Sequence, residues 1–253
     1  MHKSHFLTFG AGHPDYAITL KRISDNVHDS NLFTSITVHS GETLEAQYPD
    51  FIRDHGDFIA ANKKGYGLWL WKAFLISKSL DLLPNDDVLV YLDAGCTLNY
   101  KTEESIAKFN YYVDLAFQQH ILAFQRSDDH TYFKETTWSR KDLTDYLQLS
   151  TADLDSGQME AGMSLWRIDD YSREFAYKWF HLMTANNYQF LVNPEPINRH
   201  PGYWEHRYDQ AVFSAMYKSY GIQPLPAKYF GGQWETNGSA EPFWATRNKP
   251  IIK

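Results

Sequence analysis

Residues 87–98, DVLVYLDAGCTL, constrain the fold of this chain more than any other stretch. Val88, Leu89, Val90, Tyr91 and Leu92 form an unbroken apolar run, bounded by Pro84-Asn85-Asp86-Asp87 before it and Asp93-Ala94-Gly95 after it. A short run of this kind, rich in β-branched and aromatic residues, reads as a strand covered on both faces, as in the middle of an α/β sheet. Asp93 stands where the run stops. Ligands of open α/β sheets bind outside the carboxyl ends of the strands, so a carboxylate there, beside small residues that leave room, is a candidate for chemistry. The same residues also suit a plain turn.

The flanking sequence supplies partners for such a strand. Residues 6–9 (FLTF) and Gly10-Ala11-Gly12 read as a first strand with a tight turn, followed by a helix over 15–27. The GAG run is not a dinucleotide fingerprint, because Asp15 stands where GxGxxG needs glycine or alanine. Residues 35–39 (SITVH) alternate as a second strand. The spacing over 62–83 predicts one continuous helix, apolar nearly all round and therefore buried. Lys72, between Trp69, Trp71 and Phe74, is its anomaly: it either snorkels to water or faces an anion. Lys63 and Lys64, just ahead, are placed for a phosphate at a helix start or are simply solvated.

Thr102 is positioned to cap a helix to about Gln119, with Glu103 and Glu104 in its first turn. Residues 121–124 (ILAF) read as a strand that exits through residues 125–130. Ser139 with Asp142 resembles a capping box for a short helix through Leu149. A strand is expected over 163–167 and a helix over 171–186; residues 193–203, with three prolines, read as a loop. The spacing predicts a last helix over 207–220, stopped by Gly221. The tail over 223–253, with Gly231-Gly232 and four prolines, reads as irregular, with Trp234 and Trp244 packing it over something.

Length and composition narrow the function. The 253 residues suit one large α/β domain. Aromatic residues make up 16% of the chain, more than a core needs, and aromatic surplus often lines ligand clefts, where sugar rings stack. A net charge of -7 and no basic run argue against a nucleic-acid partner. No segment approaches the ~20 apolar residues of a membrane span, and the start lacks signal-peptide features, so a soluble, cytoplasmic protein is expected. The lone Cys96 has no disulfide or zinc partner and reads as a small buried hydrophobe.

Four stretches, taken together, resemble bacterial and phage nucleotide-sugar glycosyltransferases of the GT-A type: KKGYGLWLWKAFLISKSL (63–80), VLVYLDAGC (88–96), QMEAGMSLWR (158–167) and HRYDQAVFSAMY (206–217). The resemblance implies an α/β fold, a single Rossmann-like domain with a mixed central sheet. Residues 1–100 would bind a nucleoside-diphosphate sugar, a UDP- or GDP-sugar, and residues 101–253 would bind a glycan or glycolipid acceptor, for surface polysaccharide synthesis. Such chemistry needs positive charge aimed at the departing diphosphate. In this family an Asp-x-Asp motif usually holds Mn²⁺ or Mg²⁺ across the two phosphates. Here Asp93 matches the first aspartate and Gly95 replaces the second. Two readings follow: Asp93 holds a metal with a distant ligand such as His206, or Asp93 bonds sugar or ribose hydroxyls while Lys72 and Lys64 neutralise the diphosphate.

The resemblance assigns further roles. If the reaction inverts the anomeric centre, Glu160 would be the base that takes the acceptor proton, and Asp209 with Gln210 would touch the donor sugar, Asp209 counted with the catalytic pair. Thr8, Phe9 and Gly10 are placed for the nucleoside, and Tyr66, Trp69, Ala94 and Gly95 complete the donor-binding set around Lys64, Lys72 and Asp93. The rival readings are a nucleotidyltransferase that makes a sugar nucleotide, for which Gly10-Ala11-Gly12 is a poor phosphate loop, and a carbohydrate-binding protein of the same fold without catalysis.

Overall fold

The computed structural model describes residues 2–126, 132–193, 198–227 and 234–247. In chain order, β1 (Ser4–Gly10) leads to α1 (Tyr16–Ser30), β2 (Ser35–Ser40), α2 (Gly41–Gln47) and α3 (Pro49–Ala61). A one-turn segment, α4 (Gly65–Leu68), precedes α5 (Leu70–Leu82) and β3 (Val88–Leu92). Then come β4 (Thr97–Leu98), α6 (Glu103–Gln119), β5 (Ile121–Gln125) and three short helices, α7 (Glu135–Trp138), α8 (Lys141–Tyr146) and α9 (Thr151–Asp155). The long strand β6 (Met159–Arg167), α10 (Asp170–Tyr188), α11 (Tyr208–Ser219), β7 (Leu225–Pro226) and β8 (Phe243–Trp244) follow.

Six strands form one mixed sheet in the order β2-β1-β3-β6-β5-β7. β1 runs parallel to β2 and β3, β5 parallel to β7, and β6 is antiparallel to both β3 and β5. All five residues of β3 are buried, as its unbroken apolar run requires. Alternation divides them between two cores. Leu89 and Tyr91 join α5, α10 and α11 on one face; Val88, Val90 and Leu92 join α1 and α6 on the other. The architecture is therefore α/β, with helices on both faces of a mixed sheet. No helix among the described residues is long and apolar enough to cross a membrane.

Several expectations need correction. The helix over 62–83 is not continuous: residues 65–69 all have positive φ, at 60, 53, 83, 54 and 61°. Their hydrogen bonds turn the chain left-handedly, Leu68 N–H to Lys64 O and Trp69 N–H to Gly65 O, before α5 starts at Leu70. Gly67 is required there, because a Cβ at that position would lie 2.6 Å from Ile59 Cγ1 of α3. Apolar spacing continues across the break, which is why periodicity alone reads one helix. Ser139 does not open a capping box; its hydroxyl donates to Glu135, and α8 starts at Lys141 with Arg140 as its N-cap.

The strand expected over 163–167 begins four residues earlier, at Met159, so Glu160 and Gly162 lie within it. In the helix expected over 171–186, Ala185, Asn186 and Asn187 leave helical geometry. Thr102 caps α6 as expected, in a box with Ser105. The tail carries β8, which pairs with β4 and buries Phe243 and Trp244. Parts of the expected strand exit, proline loop and glycine-containing tail, residues 127–131, 194–197, 228–233 and 248–253, lie outside the described residues.

Candidate active site

Asp93 follows the last residue of β3, and its backbone N–H donates to Gly162 O of β6 at 2.8 Å. Its side chain leans against the same residue: a Cβ on Gly162 would fall 2.9 Å from Asp93 Oδ2. Tyr91 Oη donates to Asp93 Oδ1 at 2.5 Å from two residues back on the same strand face. The Ala94-Cys96 turn is held from behind by Arg22 of α1, which donates to Ala94 O at 2.7 Å and Cys96 O at 2.6 Å. Thr246 Oγ1 donates to Gly95 O at 2.9 Å, so the tail braces the turn as well.

Lys72, in the first turn of α5, is the anion-facing lysine that its surroundings suggested, and the anions are the protein's own. Its Nζ lies 3.3 Å from Asp93 Oδ1 and 2.9 Å from Asp209 Oδ2, with only 3% of the side chain exposed. Burial alone would lower the ammonium's pKa, but Asp209 and Asp93 together raise it above the ordinary lysine value. Burial pushes the Asp209 carboxyl up to about 6, with Lys72 pulling the other way. Asp209 stands at the start of α11, which a buried ion pair between Lys218 and Glu135 of α7, 2.6 Å long, ties down.

These groups line one cavity of about 540 Å³ at the strand ends. Phe9, Tyr16, Tyr66, Trp69, Trp71 and Tyr208 wall it, with Gly10, Ala94 and Gly95 as its small residues. Phe9 stacks near Trp71, with ring centroids 4.0 Å apart. Glu160, two residues before Gly162 on β6, also lines the cavity and accepts from Arg126 Nη1 at 3.0 Å. Gln210 donates to Gln158 Oε1 at 2.7 Å, which orients it at the cavity wall. Lys64, at the rim, is spoken for by Glu205 at 3.3 Å and the Tyr208 hydroxyl at 3.1 Å. In a chain of net charge -7, the lining gathers five cations, Lys64, Lys72, Arg126, Arg207 and Arg247, against four carboxylates.

Of the residues singled out in the sequence, Phe9, Gly10, Lys64, Tyr66, Trp69, Lys72, Asp93, Ala94, Gly95, Glu160, Asp209 and Gln210 meet at this cavity. Thr8 does not. It is fully buried inside β1, one residue short of the strand mouth, and is not among the lining residues. His206 also lies elsewhere and is not placed as a metal ligand: fully buried, it accepts from Arg140 N–H through Nδ1 and pairs Nε2 with Phe190 O at 2.8 Å. Both ring nitrogens are occupied by backbone. Cys96 lines the cavity, but burial pushes its thiol pKa well up, which suits a packed side chain and not a nucleophile.

Two arginines escaped the sequence reading. Arg126 closes β5 as Asp93 closes β3, so the same rule of a charge where an apolar run stops points to it. Arg207 sits one residue after His206, and its guanidinium stacks 3.7 Å over the Trp138 ring at the cavity wall. Among the described residues no carboxylate forms a salt bridge with it, although Glu160 and Glu205 act on it through space.

The donor set fits a divalent ion poorly. Among the described residues no three His, Cys, Asp or Glu side chains gather as metal ligands. Asp93 and Asp209 already share an ammonium, Glu160 is paired with Arg126 and Glu205 with Lys64, and Mg²⁺ or Mn²⁺ prefers several oxygen donors in near-octahedral array. For scale, a divalent ion roughly 4 Å from an ammonium is repelled by about 8 kcal/mol at an effective dielectric of ~20.

No protein-family model matches the sequence, and no curated protein is significantly similar to it. Solved structures that align over nearly the whole chain include a putative glucose-1-phosphate thymidylyltransferase from Bacillus anthracis, at 12% identity over 99% of this chain and 97% of its own with a TM-score of 0.38, and glycosyltransferases. One, from the virus PBCV-1 and involved in glycosylation of its major capsid, shares 11% identity over 99% of this chain and 95% of its own, with a TM-score of 0.49. Mouse xyloside xylosyltransferase 1 shares 10% identity over 99% of this chain and 100% of its own, also at 0.49. The galactosyltransferase LgtC, solved with donor and acceptor sugar analogues, shares 13% over 90% and 74%, at 0.45. At these scores the likeness is one of distant shape.

Proposed function

We propose that this protein is a glycosyltransferase that moves a sugar from a nucleoside-diphosphate sugar to a hydroxyl of a glycan or glycolipid. The observation that carries the reading is the convergence of Asp93, Lys72, Asp209, Glu160 and Arg207 on one aromatic-walled cavity at the strand ends. Tyr66 and Trp69, half-buried in the lining, offer flat apolar faces for a nucleobase, and Asp93, fixed by Tyr91 and Lys72, offers carboxylate oxygen to ribose or sugar hydroxyls. Residues 1–100 supply most of that donor wall; residues 101–253 supply Glu160 and the cations that face it. A cytoplasmic location and a place in surface polysaccharide synthesis belong to the same proposal.

In the step itself, the bond between the sugar's anomeric carbon and the diphosphate oxygen breaks, and its electron pair stays on that oxygen. The acceptor oxygen forms the new bond to the anomeric carbon and gives up its proton. Glu160, held in place by Arg126, is the carboxylate set to receive that proton, and Arg207 faces the charge that develops on the diphosphate.

Incubation with a panel of UDP- and GDP-sugars and oligosaccharide acceptors, followed by assay of free nucleoside diphosphate, tests this. At least one donor should release diphosphate faster with acceptor than without, and Glu160→Gln should slow that release by about 10²-fold or more. No release from any donor, or pyrophosphate release from a nucleoside triphosphate and a sugar phosphate, would overturn the reading.

A further inference from the structure

We propose that the transfer proceeds without a divalent cation, Lys72 holding the place between Asp93 and Asp209 and Arg207 taking the charge of the diphosphate; this rests on the transferase reading above. The resemblance to metal-using enzymes makes the opposite the default, so the departure has to be carried by the residues. Gly95 stands at the position of the second metal-binding aspartate and contributes no side-chain donor. Asp209, which could have made up for it across the cavity, is bound instead to Lys72. Glu160 and Glu205, the other cavity carboxylates, are paired with Arg126 and Lys64, and His206, outside the cavity lining, has both nitrogens on backbone groups.

The ammonium is also not free to leave. Its side chain is buried at the cavity wall, its Nζ 5.5 Å from the Tyr91 ring and 5.8 Å from the Trp71 ring, so a cation arriving between the two aspartates would meet the ammonium already held there. Positive charge for the leaving group must then come from the wall. Lys64 is paired with Glu205 and Arg126 with Glu160. Arg207 and Arg247 are different, neither being in a salt bridge with a described carboxylate; Arg207 is in addition partly desolvated and stacked on Trp138, with Glu160 and Glu205 acting on it only through space. A planar guanidinium pre-oriented by an aromatic ring and facing a cavity suits bidentate contact with phosphate.

The test is calorimetric titration of UDP and GDP into the whole protein, stripped with EDTA and checked for residual metal, and again with added MnCl₂ or MgCl₂. At least one of the two nucleotides should bind with Kd values within threefold under all conditions, and donor turnover in EDTA should stay within twofold of that with metal. Arg207→Ala should weaken that nucleoside diphosphate at least tenfold and leave binding of the parent nucleoside unchanged; Arg207→Lys should recover part of the loss. Diphosphate binding or turnover seen only with added metal would overturn the proposal and leave the transferase reading standing. Metal-free diphosphate binding without transfer to any acceptor would do the reverse. If neither nucleotide binds under any condition, both fall.

Discussion

Replacing Lys72 by methionine removes one ammonium from between two carboxylates and keeps a side chain of similar length. Asp209 loses the most. Its side chain is 5% exposed, so without Lys72 its charge is left buried and uncompensated, which typically destabilises a protein by about 3–5 kcal/mol. Asp93 is 38% exposed, so water screens much of what it loses. A loss of about 3 kcal/mol is therefore expected for Lys72→Met, almost all of it through Asp209. The double variant Lys72→Met/Asp209→Asn should be more stable than Lys72→Met alone, with a coupling of at least about 1 kcal/mol between the two sites. Urea unfolding followed by tryptophan fluorescence, with eight tryptophans as reporters, measures both. A loss below about 1 kcal/mol for Lys72→Met, or strict additivity in the double variant, would refute the claim that this ammonium holds the two carboxylates at the mouth.

Two further outcomes follow from the same geometry. Burial holds the His206 imidazole down at about 4 against 6.5 for a free histidine, so its contribution to stability is complete above pH 6.5 and is lost as the pH falls towards 4; at ~1.4 kcal/mol per pH unit the loss is about 3 kcal/mol, and His206→Gln should flatten the urea midpoint over that range, whereas an unchanged slope would contradict the burial argument. Gly162→Ala drives a methyl into the space of Asp93 Oδ2, so turnover should drop at least tenfold while the urea midpoint changes little; full activity would show that Asp93 does not need its present position.

The parts of this site legible in the sequence are those where local preference and position agree. The 88–92 run has one way to be buried, and a carboxylate after it lands at the sheet mouth whatever the flanking helices do. Lys72 is legible as an anomaly because a helix apolar on every side leaves an ammonium either to snorkel to water or to face an anion; the fold decides for the anion and supplies Asp93 and Asp209. The left-handed turn at 65–69 was hidden, because apolar spacing ignores the sign of φ, although Gly65 and Gly67 marked it. His206 and Arg207 show the limit most plainly. They are adjacent, and the path of the chain into α11 alone decides that the histidine turns into the core and the arginine towards the cavity. Thr8 failed for a similar reason, since one residue along a strand separates its interior from its mouth.

In the proposed transfer Asp93 is the carboxylate that receives the donor. Acceptor-stimulated release of nucleoside diphosphate, measured side by side for the parent protein and Asp93→Ala, tests it: the variant should lose at least 10²-fold in turnover, whereas release at the parent's rate would contradict the account.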